Sequence, residues 1–103
     1  MDKEKEKKLL IAIIGLLDAV YNDKVPLCEA ERAIFIPRIQ KELSIMGCNP
    51  KILDIVAEGC ELEDILSLLP DRYKDNVLFL KERALILLDE YSETSFCLQE
   101  ISK

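Results

Sequence analysis

Leu9-Leu10-Ile11-Ala12-Ile13-Ile14-Gly15-Leu16-Leu17-Asp18-Ala19-Val20 carries its apolar residues at helical spacing, with no strict alternation. On a helical wheel Leu9, Leu10, Ile13, Ile14, Leu16, Leu17 and Val20 fill one broad face, which predicts an amphipathic helix. The charged residues before it extend that helix back to Lys3. Asn22-Asp23, with Pro26 shortly beyond, ends it at Tyr21. Ala12, Gly15 and Ala19 align on its flank. A glycine inside a helix costs about 1 kcal/mol against alanine, so a close-packed neighbour is expected there. The first helix is read as wrapped on two sides, the central post of the core.

Working outward, Pro26 opens a second helix to Phe35, with Leu27, Ala30 and Ile34 turned inward. A third runs from Pro37 to Met46 with Ile36, Ile39, Leu43 and Met46 in step, and Gly47 is its left-handed stop. Asn49-Pro50 caps and starts a fourth, which presents Ile52, Ile55 and Val56 and ends at Gly59. Leu62, Ile65, Leu66 and Leu69 align along a fifth, Glu61 to Leu69, closed by Pro70. Asp71 caps a sixth, Arg72 to Tyr91, with Tyr73, Val77, Leu80, Ala84, Leu87, Leu88 and Tyr91 as its main face. Tyr21 and Phe35 are assigned to the core. Residues 93–103, which include Phe96, Cys97, Leu98 and Ile101, add a turn or fray. The expected fold is all-α: a single compact orthogonal bundle of five to six helices forming one domain, 1–103. Its long first and last helices bracket shorter ones, with short connections forcing sharp crossings.

Composition bounds the chemistry. The 103 residues are 50% hydrophobic, enough for one core without a metal or disulfide staple. Twenty acidic against fourteen basic side chains give a net charge of −6 and a pI near 4.7, which argues against nucleic acid as a partner. Lys3, Lys5, Lys7 and Lys8 are interleaved with Asp2, Glu4 and Glu6 and read as a solvated first turn. There is no histidine, so zinc sites that use it and the commonest acid–base catalyst are both missing. Cys28, Cys48, Cys60 and Cys97 are separated by 19, 11 and 36 intervening residues and form no close metal-binding pair. They are read as reduced, mostly buried small hydrophobes. The run Leu9–Leu17 is too short to span a bilayer, and Asp18 interrupts it. No secretory cleavage pattern follows. A cytoplasmic protein without cofactor, metal or membrane contact is expected.

The clearest asymmetry is in charge: residues 1–53 carry net +1 and residues 54–103 net −7. From Asp54 to Asp71 there are six acids and no base. Glu61, Glu63 and Asp64 in a first helical turn complement the helix dipole, so one reading is capping electrostatics plus a solvated face. Asp54 and Glu58 repel mildly one turn apart. The functional reading is an acidic patch of Asp54, Glu58, Glu61, Glu63 and Asp64 that steers and docks a basic partner. Glu61-Leu62-Glu63-Asp64 does not follow a calcium-loop pattern. Three short helices before Pro70 invite a helix-turn-helix comparison, but the fifth offers acids where a recognition helix needs donors. Phe79 and Ile86, seven residues apart, fall opposite the last helix's main stripe. They are expected either to meet a second core neighbour, the favoured reading, or to form a partner surface.

The segments Glu29-Ala-Glu-Arg-Ala-Ile-Phe-Ile-Pro37 and Gly47-Cys-Asn-Pro-Lys-Ile-Leu-Asp-Ile-Val-Ala-Glu-Gly-Cys-Glu-Leu-Glu-Asp-Ile-Leu-Ser-Leu-Leu-Pro70 resemble an uncharacterised bacterial family of small all-α proteins, a domain of unknown function. Its anchors here are structural: Phe35 with Pro37, Gly47, and Gly59 through Pro70. The resemblance implies the fold class and a bacterial source, and no catalytic or binding residues. The expected function is non-enzymatic: binding of another protein with a basic surface, in the manner of an acidic inhibitor or immunity protein, by analogy of class. The alternatives are a self-associating (dimeric) structural subunit using Phe79–Ile86 or the Ala12–Gly15–Ala19 seam and, more remotely, an enzyme built on carboxylates or Cys60.

Overall fold

Asp2 holds an extended backbone and its carboxylate accepts the Lys5 N–H at 2.8 Å, the arrangement that starts α1 (Lys3–Tyr21). The computed structural model describes residues 1–96. After α1 come α2 (Leu27–Ala33), α3 (Pro37–Ile45), α4 (Pro50–Gly59), α5 (Leu62–Leu68), α6 (Pro70–Leu88) and a 3₁₀ turn over Asp89–Tyr91. Among the described residues there is no strand. Four of the helical segments run nine residues or more, while α2 and α5 have seven each. The Cα radius of gyration is 13.7 Å, close to the roughly 13 Å of a compact chain this long.

The punctuation accounts for most boundaries. Pro37, Pro50 and Pro70 each open a helix, where a missing N–H costs nothing. The Asn49 side chain caps α4 by accepting the Lys51 N–H at 2.9 Å, and Gly47 takes φ +76° after α3. Two caps differ from expectation. Pro26 stands outside α2 as its extended N-cap, with ψ at 149°, and takes no part in the first turn. Asp71 is no cap: Pro70 both ends α5 and begins α6, leaving Leu69 alone between them and Asp71 inside the first turn. The last turn, to Tyr91, tightens to 3₁₀.

The principal interface joins the buried face of α1 (Leu10, Ile13, Leu17, Val20) to that of α6 (Tyr73, Val77, Leu80, Ala84, Leu87). α4 and α5 also pack on α6, and α3 packs on α4. The post of the molecule is therefore α6, not α1. Ala12 and Gly15 face solvent, and a Cβ added at Gly15 would meet nothing within 4 Å. The neighbour expected on that flank is absent because the short helices gather around α6. Leu9, Ile14 and Leu16 stay half-buried for the same reason.

Other apolar assignments are corrected too. Tyr21, at the end of α1, is half-buried, with the Lys74 and Lys81 ammonium groups 5.4 and 6.0 Å from its ring centroid. Met46, Leu66 and Leu69 are exposed. α5 packs chiefly on α6, so one side is covered: Leu62 is buried and Ile65 half-buried. Of the cysteines, Cys48 is buried and Cys60 half-buried, but Cys28 is exposed, and all three are free thiols. Cys97, Leu98 and Ile101 lie outside the described residues. Among the described residues, no helix is long and apolar enough to cross a membrane.

Glu6, read as part of a solvated turn, is buried at 7% exposure. Its carboxylate accepts the Asn49 backbone N–H at 2.7 Å and the Tyr91 hydroxyl at 3.0 Å, while the Asn49 amide donates to Tyr91 Oη at 2.9 Å. The Met1 ammonium donates to the Met46 carbonyl at 2.7 Å, and the Lys7 ammonium to the Thr94 carbonyl. The start of α1 thereby ties down both the α3–α4 turn and the end of α6.

Candidate functional site, the groove between α4 and α6

α4 lies along α6, and Asp54 and Glu58, one turn apart, fall on the edge of α4 that faces it. A cavity of about 290 Å³ opens there, lined by Lys51, Asp54, Ile55, Arg83, Ile86, Leu87 and Glu90. A second, of about 120 Å³, takes in Glu58, Glu61, Leu62, Ile65, Asn76, Phe79 and Leu80. The Arg83–Glu58 ion pair stands where the two approach. The first lies between α4 and α6 and the second between the start of α5 and α6, so that they adjoin across this pair along one side of α6.

Phe79 is 61% and Ile86 70% exposed, so the favoured expectation of a second core neighbour is overturned. The turn-by-turn geometry of α6 explains it. Val77, Leu80, Ala84 and Leu87 meet the core, while Phe79 and Ile86 stand on the edge of α6 beside the cavities that α4 and α5 leave open against it. The Arg83 guanidinium stands 6.0 Å from the Phe79 ring centroid, holding the aromatic at the groove's rim.

The groove is less negative than the sequence suggests. Arg83 neutralises Glu58, and Lys51 pairs with Glu90 at 2.8 Å. Both pairs are substantially exposed and add little to stability. Asp54 and Glu61 have no ion-pair partner among the described residues. Asp54, Glu58, Glu61, Phe79 and Ile86 thus share one surface. Glu63 does not join them: its carboxyl lies against Glu31 of α2. Asp64 is exposed on α5 and lines neither cavity. The acids of 54–64 are one block in sequence but divide between two faces, because α4 and α5 run in different directions from Cys60.

The Glu31 carboxyl is held above its ordinary range by burial first, then by its hydrogen bond to Glu63 and that residue's charge. Burial, then the Glu31 and Glu61 carboxylates, push the Cys60 thiol up. A thiolate nucleophile needs the opposite shift. Among the described residues no group of three or more Cys, Asp or Glu is placed to hold a metal ion.

A family model described as "Protein of unknown function (DUF3969)" matches residues 1–103. The chain belongs to this family. No curated protein and no solved structure matches it significantly. The segments that carry the family resemblance have plain structural roles here. The Phe35 ring, wholly buried, lies against Gly59, where an added Cβ would come within 2.7 Å of three ring atoms. Gly47 supplies the left-handed step, and Pro70 joins α5 to α6. Two features escaped the sequence reading. The buried Glu6 gave no signal, since its partners lie 43 and 85 residues away. Arg83, which no sequence motif singles out, is the cation that pairs with Glu58 and stands over Phe79.

Proposed function

We propose that the chain is a non-enzymatic protein–protein interaction module whose α4–α6 groove docks a partner with a basic surface. The observation that carries the reading is the placement, in two adjoining cavities along α6, of an exposed apolar side chain with an unpaired carboxylate in each: Ile86 with Asp54, and Phe79 with Glu61. Apolar anchors beside charges of one sign are what a protein interface uses for affinity and for steering. The acidic inhibitor or immunity type is the narrower form of this reading. A cytoplasmic setting in a bacterium belongs to it, as does a single domain whose five to six helices cross as an orthogonal bundle.

The test compares wild type with Asp54→Lys/Glu61→Lys and with Phe79→Asp, all at exposed positions. Both variants are expected to keep the helical circular dichroism and melting temperature of wild type. Both should lose a basic partner that wild type retains at low salt and releases as salt rises. A partner bound equally by the charge-reversed variant would end the proposal.

Self-association is the second reading, favoured by the exposed Phe79–Ile86 edge and the solvent-facing Ala12–Gly15 flank. Sedimentation at high micromolar concentration decides it: a dimer that Ile86→Asp dissociates supports it, and a monomer rejects it.

A further inference from the structure

The two cavities along α6 repeat one arrangement. Lys51 meets Glu90 and Glu58 meets Arg83, so α4 runs antiparallel to α6 and the first cavity lies between these bridges. Buried Ile55 and Leu87 form its floor, with Asp54 exposed on the α4 side and Ile86 on the α6 side. The second has buried Leu62 and Leu80 as its floor, with Glu61 and Phe79 exposed on its two sides.

Across both linings, four carboxylates face two cations. Glu58 and Glu90 take up both cations, which leaves Asp54 in one cavity and Glu61 in the other without an ion-pair partner among the described residues. The residual charge of each cavity is negative, and the residues that line it set that charge. An apolar floor under one carboxylate matches a side chain with an aliphatic stem and a cationic head, lysine or arginine. Phe79 and Ile86 stand seven residues apart, which is two turns or about 10.5 Å along α6. Side chains at i and i+7 of another helix have the same separation. An extended segment spanning that distance would find no partners on α6 for its N–H and C=O groups, because the backbone of α6 is bonded within its own helix. A helix brings its bonds with it.

We infer that the partner docks through a basic amphipathic helix laid along α6, which seats one lysine or arginine on Asp54 and another, two turns away, on Glu61. This rests on the interaction reading above and adds the shape and register of the partner to it. A second copy of the chain does not supply the helix. Its one pair of basic residues seven apart, Lys74 and Lys81, is already paired with Asp23 and Asp18.

Two fluorescent, end-capped peptides of alanine, glutamine, leucine and arginine, both helical by circular dichroism, test the inference when titrated into the full chain at low salt. One carries two arginines seven residues apart on its leucine face. Its isomer carries them five apart, on different faces. The first is expected to bind about tenfold more tightly, because the isomer seats only one arginine. Asp54→Asn and Glu61→Gln, both at exposed positions, should each weaken the first peptide about tenfold, the worth of one hydrogen bond between charged groups. Replacing one arginine by glutamine should abolish the effect of one of these substitutions and keep that of the other. Equal binding of the two isomers, saturation by neither, or an affinity that neither substitution changes would each overturn the inference. Loss of a basic partner in Asp54→Lys/Glu61→Lys decides the interaction reading separately.

Discussion

Two glycines in helices show how the same residue answers to different surroundings. Gly15 lies mid-α1 on a face that meets only water, and a methyl group there touches nothing within 4 Å. Gly15→Ala is expected to raise stability by about 0.5–1 kcal/mol, through helix propensity alone. A urea midpoint that moved down would mean that something packs on this flank, which would favour the seam-mediated dimer. Gly59 closes α4 with the Phe35 ring against it. Here the same substitution must displace a wholly buried aromatic, and overpacking of that kind costs about 1–3 kcal/mol. Gly59→Ala should therefore lower the midpoint, and Gly59→Ala with Phe35→Leu should recover part of the loss. An equal loss in the double variant would dissociate Gly59 from Phe35. Propensity tables assign both positions the same sign; the neighbour on one of them reverses it.

At the scale of the element, the start of α1 is held by a side chain, Glu6, that links three distant segments. Glu6→Ala leaves the Asn49 N–H and the Tyr91 hydroxyl without their acceptor, and is expected to cost about 2–3 kcal/mol. Tyr91→Phe removes two of the network's three hydrogen bonds, to Glu6 and from the Asn49 amide, and should cost about 1–3 kcal/mol. The double variant Glu6→Ala/Tyr91→Phe should lose less than the sum of the two single losses, since they share a contact. Full additivity in chemical denaturation would mean that the network does not act as a unit. This element also shows what was legible beforehand. Helix ends could be read because Pro37, Pro50, Asn49 and Gly47 act on their own backbone, within a few residues. The depth of burial could not. Leu66 and Leu69 keep the same spacing as Leu62, but periodicity says which residues share a face and not whether anything covers it. Glu6 looked like its neighbours Glu4 and Lys5 because its environment is made by Asn49 and Tyr91. The candidate groove was half legible for the same reason. The acids and the Phe79–Ile86 pair stood out separately, and only the packing of α4 on α6 puts Asp54, Glu58 and Glu61 beside them while sending Glu63 to α2.

For the whole molecule, the buried titratable groups set a limit on the alkaline side. Burial is the largest cause in each case. It raises the Cys48 and Cys60 thiols above 9.0 and the Tyr73 and Tyr91 phenols above 10.0. Carboxylates reinforce it: Glu6 beside Cys48 and Tyr91, Glu31 beside Cys60 and Tyr73. In the unfolded chain these groups lose their protons at the ordinary values, whereas the native chain retains them to higher pH. Over that interval the native state binds more protons than the unfolded one, so stability falls as pH rises. Below pH 9.0 the contribution is complete; it is lost from there upward through the raised native values. Glu31, raised from 4.5, has the same sign at the acid end, where its contribution is present at low pH and lost as the pH rises through its native value. Urea midpoints followed by circular dichroism from about pH 8 to about pH 11 should decline, with the tyrosinate absorbance of Tyr73 and Tyr91 appearing together with unfolding. Tyr73→Phe/Tyr91→Phe removes two of the four groups and should flatten the decline above pH 10.0, while the limb that begins at 9.0 persists through the thiols. A wild-type midpoint constant across that range, or a double variant with the wild-type slope, would show that these side chains reach water in the native fold and that the core around α6 is more open than its packing implies.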